Sequence, residues 1–389
     1  MFKNNKLLII IPLLVFSLVI SFFSGCYTQS GTIEGVFNGP VDEETELGKE
    51  VLEQAWDIIF DEYVDKDKLD ASKLSQAAIE GMLEALDDPY SSYLDAQTYQ
   101  ASVESYSGSY EGIGAYVGMR DGQIVIVAPF PDSPADIAGI KPGDVLLGIN
   151  GESAEGLSIT EAVILIKGPQ GTPVTLLVLH EGETEPVEIE VIRDKINMAS
   201  ILFEMKEDIA YIGIIQFTMR TNEELTPIME KMAENGATGI VLDLRSNPGG
   251  LLESVVDVTS RFVDEGVVLY VVDNEGSREV YPVNSDIEGT ELPMVVLTDN
   301  YTASASEVLA GALQDHDRAV ITGTKTYGKG SVNLVHRLKD YSGLFLTYAR
   351  WYTPDDHLIE GLGITPDYEI DLKGEEAIQW AIDYLRSNK

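Results

Sequence analysis

The stretch Thr238-Gly-Ile-Val-Leu-Asp-Leu-Arg-Ser-Asn-Pro-Gly-Gly-Leu-Leu252 passes from an unbroken apolar run through a Pro-Gly-Gly turn into an amphipathic segment. An apolar run without alternation is typical of a strand buried on both faces, as in parallel sheets covered by helices. Residues 251–263 keep helical spacing after the turn, so the stretch predicts a strand followed by a crossover helix. The C-terminal part of the chain is therefore predicted to be α/β with a mainly parallel sheet.

Three regions of different texture divide the rest of the chain. Residues 45–106 contain two runs with helical spacing and are predicted to form a helical N-terminal domain. Residues 107–193 contain short β-rich runs and one helix near 158–166, and residues 194–389 add strand-like runs at 210–217, 267–273, 294–299 and 318–323. The fold class is thus predicted to be multidomain α/β, which suits a chain of 389 residues.

The charge balance argues against one class of partner. The chain has 65 acidic and 26 basic residues, a net charge of −39. Binding to a phosphate backbone depends on clustered Lys and Arg, so we expect no nucleic acid partner.

The first 25 residues have the layout of a secretory signal. Lys3 and Lys6 precede an apolar run at 7–23, and small residues lead to Cys26, the single cysteine of the chain. This layout predicts a lipoprotein-type signal or membrane anchor at 1–25, acylation of Cys26 and a tether at 26–44. An uncleaved transmembrane anchor and simple secretion are the alternatives. All three place the folded part outside the cytoplasm.

Ser304 is a candidate nucleophile because it follows an apolar strand and opens an amphipathic helix. The unpaired N–H groups of a helix N-terminus favour developing negative charge. A serine in this position is also a common N-cap, so the pattern alone leaves both roles open.

Lys329 lies 25 residues later, between two glycines and before an alternating strand pattern. A lysine can act as the base for a serine if burial keeps its amine neutral, with a pKa below the ordinary value of about 10.4. The spacing from Gly323 to Lys329 resembles a nucleotide phosphate loop, but a strand follows where that loop needs a helix.

The turn after the quoted strand offers backbone N–H groups that can point into a cleft, as an oxyanion hole requires, although an ordinary βα turn has the same sequence features. The four histidines show no metal-ligand spacing, so we expect no metal. A Ser-His-Asp triad stays open because its members can be distant in sequence.

A Gly-rich loop, Glu111-Gly-Ile-Gly-Ala115, together with Ser133-Pro-Ala-Asp-Ile-Ala-Gly-Ile-Lys-Pro-Gly-Asp144, resembles a PDZ domain of the bacterial protease type. Such a domain adds an extended peptide to a sheet edge and holds the terminal carboxylate with loop N–H groups. Gly112, Ile113 and Gly114 would form that cradle. A simple tight turn is the alternative.

Five motifs in order, Asp87-Asp-Pro-Tyr-Ser-Ser-Tyr-Leu94, the PDZ pattern, the Asp243 to Gly250 turn, Thr302-Ala-Ser-Ala-Ser-Glu307 and Tyr327-Gly-Lys-Gly-Ser-Val332, are similar to those of the carboxyl-terminal processing peptidases. The resemblance extends over about residues 46–370. It implies an extracytoplasmic serine endopeptidase without a cofactor, whose protein substrates carry exposed apolar C-terminal tails.

The resemblance also implies roles for individual residues. Ser304 would be the nucleophile, Lys329 the general base, and the N–H groups of Gly250 and Ala305 the oxyanion donors. Asn333 stands where the family often has a glutamine that orients the lysine, and Lys167 stands where many relatives have arginine. The helical domain would offer a route to a homodimer. A catalytically inactive PDZ-containing scaffold on the same fold is the alternative function.

Overall fold

The computed structural model describes residues 43–120 and 122–388. The predicted signal, Cys26 and most of the predicted tether lie outside these residues. The first helix begins at Glu43, so the last two residues assigned to the tether are helical. Within the described part of the chain, no helix combines the length and apolar character needed to cross a bilayer.

The N-terminal region is mainly helical, as predicted, but it also contributes a strand to a sheet of the C-terminal region. The Asp70 carboxylate caps the second helix by accepting from the Ser72 and Lys73 N–H groups. The short strand of this region pairs antiparallel with a long strand near the C-terminus. The elements are α1 (Glu43–Glu62), a 3-10 turn (Lys66–Lys68), α2 (Ala71–Glu84), β1 (Ser92–Leu94) and α3 (Ala96–Ser107).

The middle of the chain forms a separate antiparallel sheet with its own apolar core, which includes Ile126, Val174 and Leu176. The sheet has the order β3-β4-β5-β7-β8, with β6 paired to β5. A two-stranded ribbon of β2 and β9 connects it to the core. The elements are β2 (Ser109–Gly112), β3 (Ala115–Arg120), β4 (Gln123–Pro129), α4 (Pro134–Ile137), β5 (Val145–Ile149), β6 (Glu152–Ser153), α5 (Ile159–Ile166), β7 (Pro173–Leu179), β8 (Val187–Ile192) and β9 (Asp194–Asn197).

The C-terminal region contains a six-stranded sheet in the order β10-β11-β12-β15-β16-β19, in which all pairs except β10 with β11 are parallel. The predicted mainly parallel sheet is confirmed. Its strands and helices are β10 (Ile201–Lys206), β11 (Ile209–Ile214), α6 (Thr221–Glu234), β12 (Gly239–Asp243), α7 (Leu252–Thr259), β15 (Met294–Thr298), α8 (Ala305–Asp315), β16 (Val320–Gly323), β19 (Tyr368–Glu369) and α9 (Glu375–Ser387).

A second, antiparallel sheet packs beside the first. It consists of β13 (Val267–Asp273), β14 (Arg278–Pro282), β17 (Ser331–Arg337) and β18 (Gly343–Tyr352), together with β1. The strand predicted at 267–273 is present, but it belongs to this antiparallel sheet and not to the mainly parallel one. Helix α8 lies in the core and is buried on all sides from Ala305 to Leu313, which fixes the residue that precedes it.

Candidate active site

Two loops that carry candidate residues leave the same edge of the parallel sheet. Strands β12 and β15 are parallel neighbours, so the segments after Asp243 and Thr298 emerge side by side at their carboxyl ends. The Thr302 hydroxyl donates to the Leu244 carbonyl at 2.9 Å, and the Ala303 N–H donates to the Asn247 carbonyl at 3.0 Å. The oxyanion-turn candidate and the nucleophile candidate are therefore joined by direct hydrogen bonds.

Ser304 is the N-cap of α8 and is 1% exposed. Its backbone has φ 57° and ψ −121°, a conformation that non-glycine residues rarely adopt and that is concentrated at functional sites. With Glu307 it forms a capping box, so the serine is an N-cap as well as the candidate nucleophile. In the first turn of α8, the Ser306 and Glu307 N–H groups donate to the Ala303 and Ser304 carbonyls at 3.2 and 2.8 Å.

Lys329 lies in the loop between β16 and β17 and is 2% exposed. Its Nζ is 5.3 Å from the centroid of the Tyr90 ring. Removing an amine from water disfavours its charged form, and a general base must be in the neutral form. Burial also raises the pKa of the Tyr90 phenol to about 12, so this neighbour stays neutral at physiological pH.

The carboxylate of Glu307 connects the segments of the two candidates. Its Oε2 accepts from the Ser304 N–H and from the Lys329 N–H, each at 2.8 Å. Its Oε1 accepts from the Gly328 N–H at 2.7 Å and from the Thr326 hydroxyl at 2.5 Å. Burial raises the pKa of Glu307, and these four hydrogen bonds oppose that shift. One fully buried side chain thus fixes the backbones of both Ser304 and Lys329.

The Gly249–Gly250 turn packs directly against the nucleophile segment. A Cβ added to Gly249 would lie 2.8 Å from the Ser304 Cβ and 2.9 Å from the Ala305 nitrogen. Phe217 bonds to the residues on both sides of Gly250, so the Gly250 N–H points away from Phe217. The Ala305 N–H belongs to the first turn of α8, where no intrahelical acceptor exists. Both candidate oxyanion donors therefore belong to segments in contact at Ser304.

Asn247 holds this turn in place. Its side-chain oxygen accepts from the Gly249 N–H at 2.8 Å, and its amide donates to the Ile214 carbonyl at 2.8 Å. The residue is fully buried. Asn247 lies within the turn motif identified from the sequence, but no role was predicted for it.

Asn333 is fully buried on β17. Its amide donates to the Tyr90 carbonyl at 3.0 Å and to the Thr347 hydroxyl at 3.1 Å. These bonds link Asn333 to the tyrosine that packs beside the Lys329 amine, so Asn333 supports that wall of the site.

The PDZ loop residues lie far from this centre along the chain and form the start of the middle domain. Gly112 ends β2, and Ile113 is buried in the core of the domain. Gly114 has φ 76° and leaves no room for a Cβ beside Ser133, so a glycine is required there. The carbonyls of Ile113 and Gly114 accept from the Ala135 and Phe130 N–H groups.

Lys167 packs near the same loop. Its Nζ forms an ion pair with Glu104 of α3 at 2.5 Å and lies 4.8 Å from the Tyr110 ring centroid. His316, by contrast, caps the far end of α8 and contacts the Val267 carbonyl through Nε2 at 2.8 Å.

Glu307 and Tyr90 lie within the quoted motifs and Thr326 directly precedes one, but none of them was assigned a function from the sequence. Glu307 had a detectable signal, because Ser-x-x-Glu before an apolar run is a capping box. Tyr90 had none, since it reaches the site through a long-range strand pairing.

Comparisons with known proteins agree with this architecture. Residues 208–370 match the model for peptidase family S41, residues 29–98 match the N-terminal domain of the activating protease CtpB, and residues 125–179 match a PDZ domain.

The chain is 39% identical over 323 residues to the carboxy-terminal processing protease CtpA of Bacillus subtilis, covering 82% of this chain and 68% of the relative. It is 39% identical over 310 residues to the carboxy-terminal-processing protease of Bartonella bacilliformis, covering 78% and 70%. Among solved structures, a photosystem II D1 C-terminal processing protease is 28% identical, covers 85% of this chain and 94% of its own, and has a TM-score of 0.49.

The helical, PDZ and α/β regions predicted from the sequence occur in family order, and the family prediction is confirmed. The chain belongs to peptidase family S41, with a PDZ domain and relatives among the carboxy-terminal processing proteases, and is a serine protease.

Proposed function

We propose that this protein is an extracytoplasmic endopeptidase that uses Ser304 as nucleophile and Lys329 as general base. The neutral Lys329 amine takes the Ser304 hydroxyl proton as Oγ attacks the scissile carbonyl carbon. The resulting ammonium gives that proton to the leaving amine, and the acyl-enzyme forms. Water then attacks the ester carbon as Lys329 accepts one of its protons, and Lys329 returns that proton to the Ser304 Oγ as the acyl C–O bond breaks.

The tetrahedral intermediates carry a negative oxygen that needs fixed donors. We assign this role to the Gly250 and Ala305 N–H groups, which belong to segments in contact beside Ser304. Preorganised donors of this kind each contribute roughly 10²- to 10³-fold in rate. No metal or nucleotide takes part in the proposed steps.

The observation that carries this proposal is the shared acceptor. One oxygen of Glu307 lies 2.8 Å from both the Ser304 and Lys329 nitrogens, so residues 25 apart in sequence are held in adjacent positions. Capping of a helix requires the Glu307 carboxylate to accept only from the Ser304 N–H. The additional bond from the Lys329 N–H is not needed for capping. Burial of that lysine supports the neutral form that catalysis needs.

The proposed substrates are proteins with exposed apolar C-terminal tails. The N–H groups of the Gly112, Ile113 and Gly114 loop would hold the tail carboxylate while the tail pairs with a sheet edge.

Contacts through α3 offer a route by which a captured tail would affect the active site. Lys167 pairs with Glu104, and Ser105 in the next position bonds to Gln216 at 3.2 Å. Gln216 precedes Phe217, which bonds to the Gly249–Gly250 turn. We expect tail binding to favour the arrangement in which this turn is aligned, and a Glu104→Gln variant to weaken the advantage of a free tail.

The signal layout supports a location outside the cytoplasm with attachment to the membrane, through lipid on Cys26 or an uncleaved anchor. Radiolabelled fatty acid incorporated into the wild type, and absent from Cys26→Ser, would support lipidation. Label in neither protein would contradict it.

A homodimer through the helical domain is also proposed. Helix α1 has no buried residue, and Leu47, Val51 and Leu52 on it are more than half exposed. A second copy would cover this apolar surface. Sedimentation of a single monomeric species at micromolar concentration would contradict the dimer.

The deciding experiment compares the full-length wild type with Ser304→Ala and Lys329→Ala, in detergent, on an unfolded protein with a free apolar C-terminus and on its amidated twin. The proposal predicts cleavage by the wild type alone, faster for the free tail. Equal cleavage by all three proteins would contradict the proposed Ser304–Lys329 dyad. Equal cleavage rates on the free and the amidated substrate would contradict tail recognition. No cleavage by any of them would favour the scaffold.

A further inference from the structure

A cavity of about 650 Å³ adjoins the wall of the site that Tyr90 forms beside Lys329. It opens where β18 lacks a partner on one edge. Strand β1 pairs with residues 343–345 of β18, and β13 pairs with residues 349–352. Strands β1 and β13 share one edge of β18, and β17 occupies the other edge. On the shared edge, residues 346–348 of β18 face a gap between the end of β1 and the end of β13. The loop at 87–91 and the end of β13 form the walls of this gap.

A β-bulge lies at the same level. Val332 pairs with Ala349 and Asn333 with Thr347, so Tyr348 is an extra residue in β18. Bulges redirect neighbouring side chains and often occur beside active sites. The bulge is two residues before Arg350, which lines the cavity.

The side chains of Glu360 and Arg350 line this cavity and do not form an ion pair with each other. The Oε2 atom of Glu360 is buried and has no hydrogen-bond partner among the described residues. The Arg350 guanidinium donates to the Ala349 carbonyl at 3.3 Å and forms no ion pair within residues 43–120 and 122–388. Burial raises the pKa of Glu360, while the charge of Arg350 and a hydrogen bond from the Gly330 N–H oppose that shift. A buried, unpartnered carboxylate oxygen is costly unless a ligand satisfies it.

Of the other carboxylates of the cavity, Asp87 is exposed to solvent, and Asp88 and Asp273 already have hydrogen-bond partners. Asp88 accepts from the Ser91 hydroxyl at 2.6 Å and from the Tyr90 N–H at 3.0 Å. Asp273 accepts from the N–H groups of Glu275 and Ser277 in its own turn. Glu360 and Arg350 are therefore the partly buried charged groups of the cavity with capacity left for a ligand.

We propose that this cavity is a substrate subsite that accepts a carboxamide side chain, glutamine or asparagine, from a residue near the scissile bond. The side-chain NH₂ would donate to Glu360, and the side-chain carbonyl would accept from Arg350. This inference rests on the proposed endopeptidase function, since the cavity is a subsite only if a polypeptide lies across Ser304.

Charge explains why an amide fits better than its competitors. An acidic side chain would be repelled by Glu360 and Asp88, and a basic side chain could pair with Glu360 but would offer no acceptor to the Arg350 guanidinium. An apolar side chain of equal size would leave the Glu360 Oε2 without a partner and the Arg350 guanidinium with only the Ala349 carbonyl. A site built to hydrogen-bond its ligand rejects analogues that lack those groups far more strongly than an apolar pocket does.

The test uses the full-length protein and a set of unfolded substrates with one free apolar tail and one cleavage site. Each of the three positions on either side of the bond carries Gln, Met, Glu or Lys in turn. At one of these positions, kcat/KM should be at least about tenfold higher for Gln than for Met, with Glu and Lys below Gln.

The variants Glu360→Met and Arg350→Met should each bring the Gln-to-Met ratio close to one. This ratio is measured within one preparation, so it does not depend on the fraction of folded enzyme. Asp87→Asn is the matched control, because Asp87 lies on the cavity rim with φ 51°, which asparagine tolerates, and it should keep the wild-type ratio.

Cleavage that depends on Ser304 but shows no Gln preference at any position would overturn the subsite and leave the endopeptidase intact. A preference for Glu or Lys, or a Gln preference that survives both Met variants, would overturn it as well. Absence of Ser304-dependent cleavage for every substrate would overturn the function and the subsite together.

Discussion

Replacing Glu307 by glutamine tests whether one carboxylate holds the catalytic segments together. The carboxylate accepts four hydrogen bonds, from Ser304, Thr326, Gly328 and Lys329. A glutamine has one oxygen, so its NH₂ group must face two of these donors. If the oxygen serves Ser304 and Lys329, the NH₂ opposes the Gly328 N–H, and the Thr326 hydroxyl must turn to accept.

The magnitude follows from that count. One bond to a charged group is lost, at about 1.5–3 kcal/mol, and a buried donor is left unpaired, at about 1–3 kcal/mol. We expect the free energy of unfolding of the protease core to fall by about 3–5 kcal/mol. A displacement of reacting groups by about 1 Å lowers the rate on the order of 10²-fold, so kcat should fall by about that factor.

The assay measures kcat, KM and the urea midpoint for the wild type, Glu307→Gln and Glu253→Gln. Glu253 is an exposed glutamate on the neighbouring helix α7, so its variant controls for the charge change alone. KM should change little in Glu307→Gln, because tail capture is assigned to the PDZ loop. Wild-type kcat and stability in Glu307→Gln would refute the argument.

Three further changes test other parts of the site. Gly250→Ala places a Cβ 2.0 Å from the Phe217 carbonyl oxygen, so the turn must move and kcat should fall at least about 10²-fold; a steady-state kcat within twofold of the wild type would contradict this. Asn333→Ala removes the bond to the Tyr90 carbonyl and should lower the unfolding free energy in urea by about 1–3 kcal/mol; an unchanged urea midpoint would refute it. Burial acts to raise the pKa of Asp88, but hydrogen bonds to its carboxylate outweigh burial and lower the pKa. The stability that the ionised carboxylate contributes is therefore present above about pH 4 and is lost as the pH falls through the folded pKa. Asp88→Asn should therefore be less stable in urea by about 1 kcal/mol at pH 7 and equal to the wild type near pH 2, whereas a gap that persists at pH 2 would contradict the sign.

The sequence predicted the elements whose signal is local. The apolar runs that became β12 and β15 are buried on both faces and are bounded by turn residues, so their type and order were readable. Ser304 was readable for the same reason, since a strand end, a polar cluster and an amphipathic helix follow one another within a short segment.

Membership of a sheet is not local. The run at 267–273 has the same apolar character as the parallel strands, but β13 pairs antiparallel with β18, about 80 residues later. Helix α7 was predicted to continue to Val263 and ends at Thr259, because Phe262 and Val263 keep apolar spacing while they fill the core from a turn. Apolar periodicity indicates which residues are buried, and buried residues with this spacing can lie in a helix or in the turn after it.

The parts of the site that depend on long-range contacts were not predictable. Tyr90 reaches Lys329 because β1 joins the second sheet, and the cavity exists because β18 bulges between two partners. Glu307 was part of a readable capping box, but its bonds to residues 326, 328 and 329 depend on where the loop after β16 returns.

The most direct test of the central claim is to trap the acyl-enzyme. The full-length wild type, Lys329→Met and Ser304→Ala would be mixed with a cleavable protein, quenched in acid within one turnover, digested and mapped by mass spectrometry. We predict a substrate fragment esterified to Ser304 in the wild type and no adduct in either variant. An adduct on another residue, or one on Ser304 that forms at the wild-type rate without Lys329, would contradict the proposed dyad.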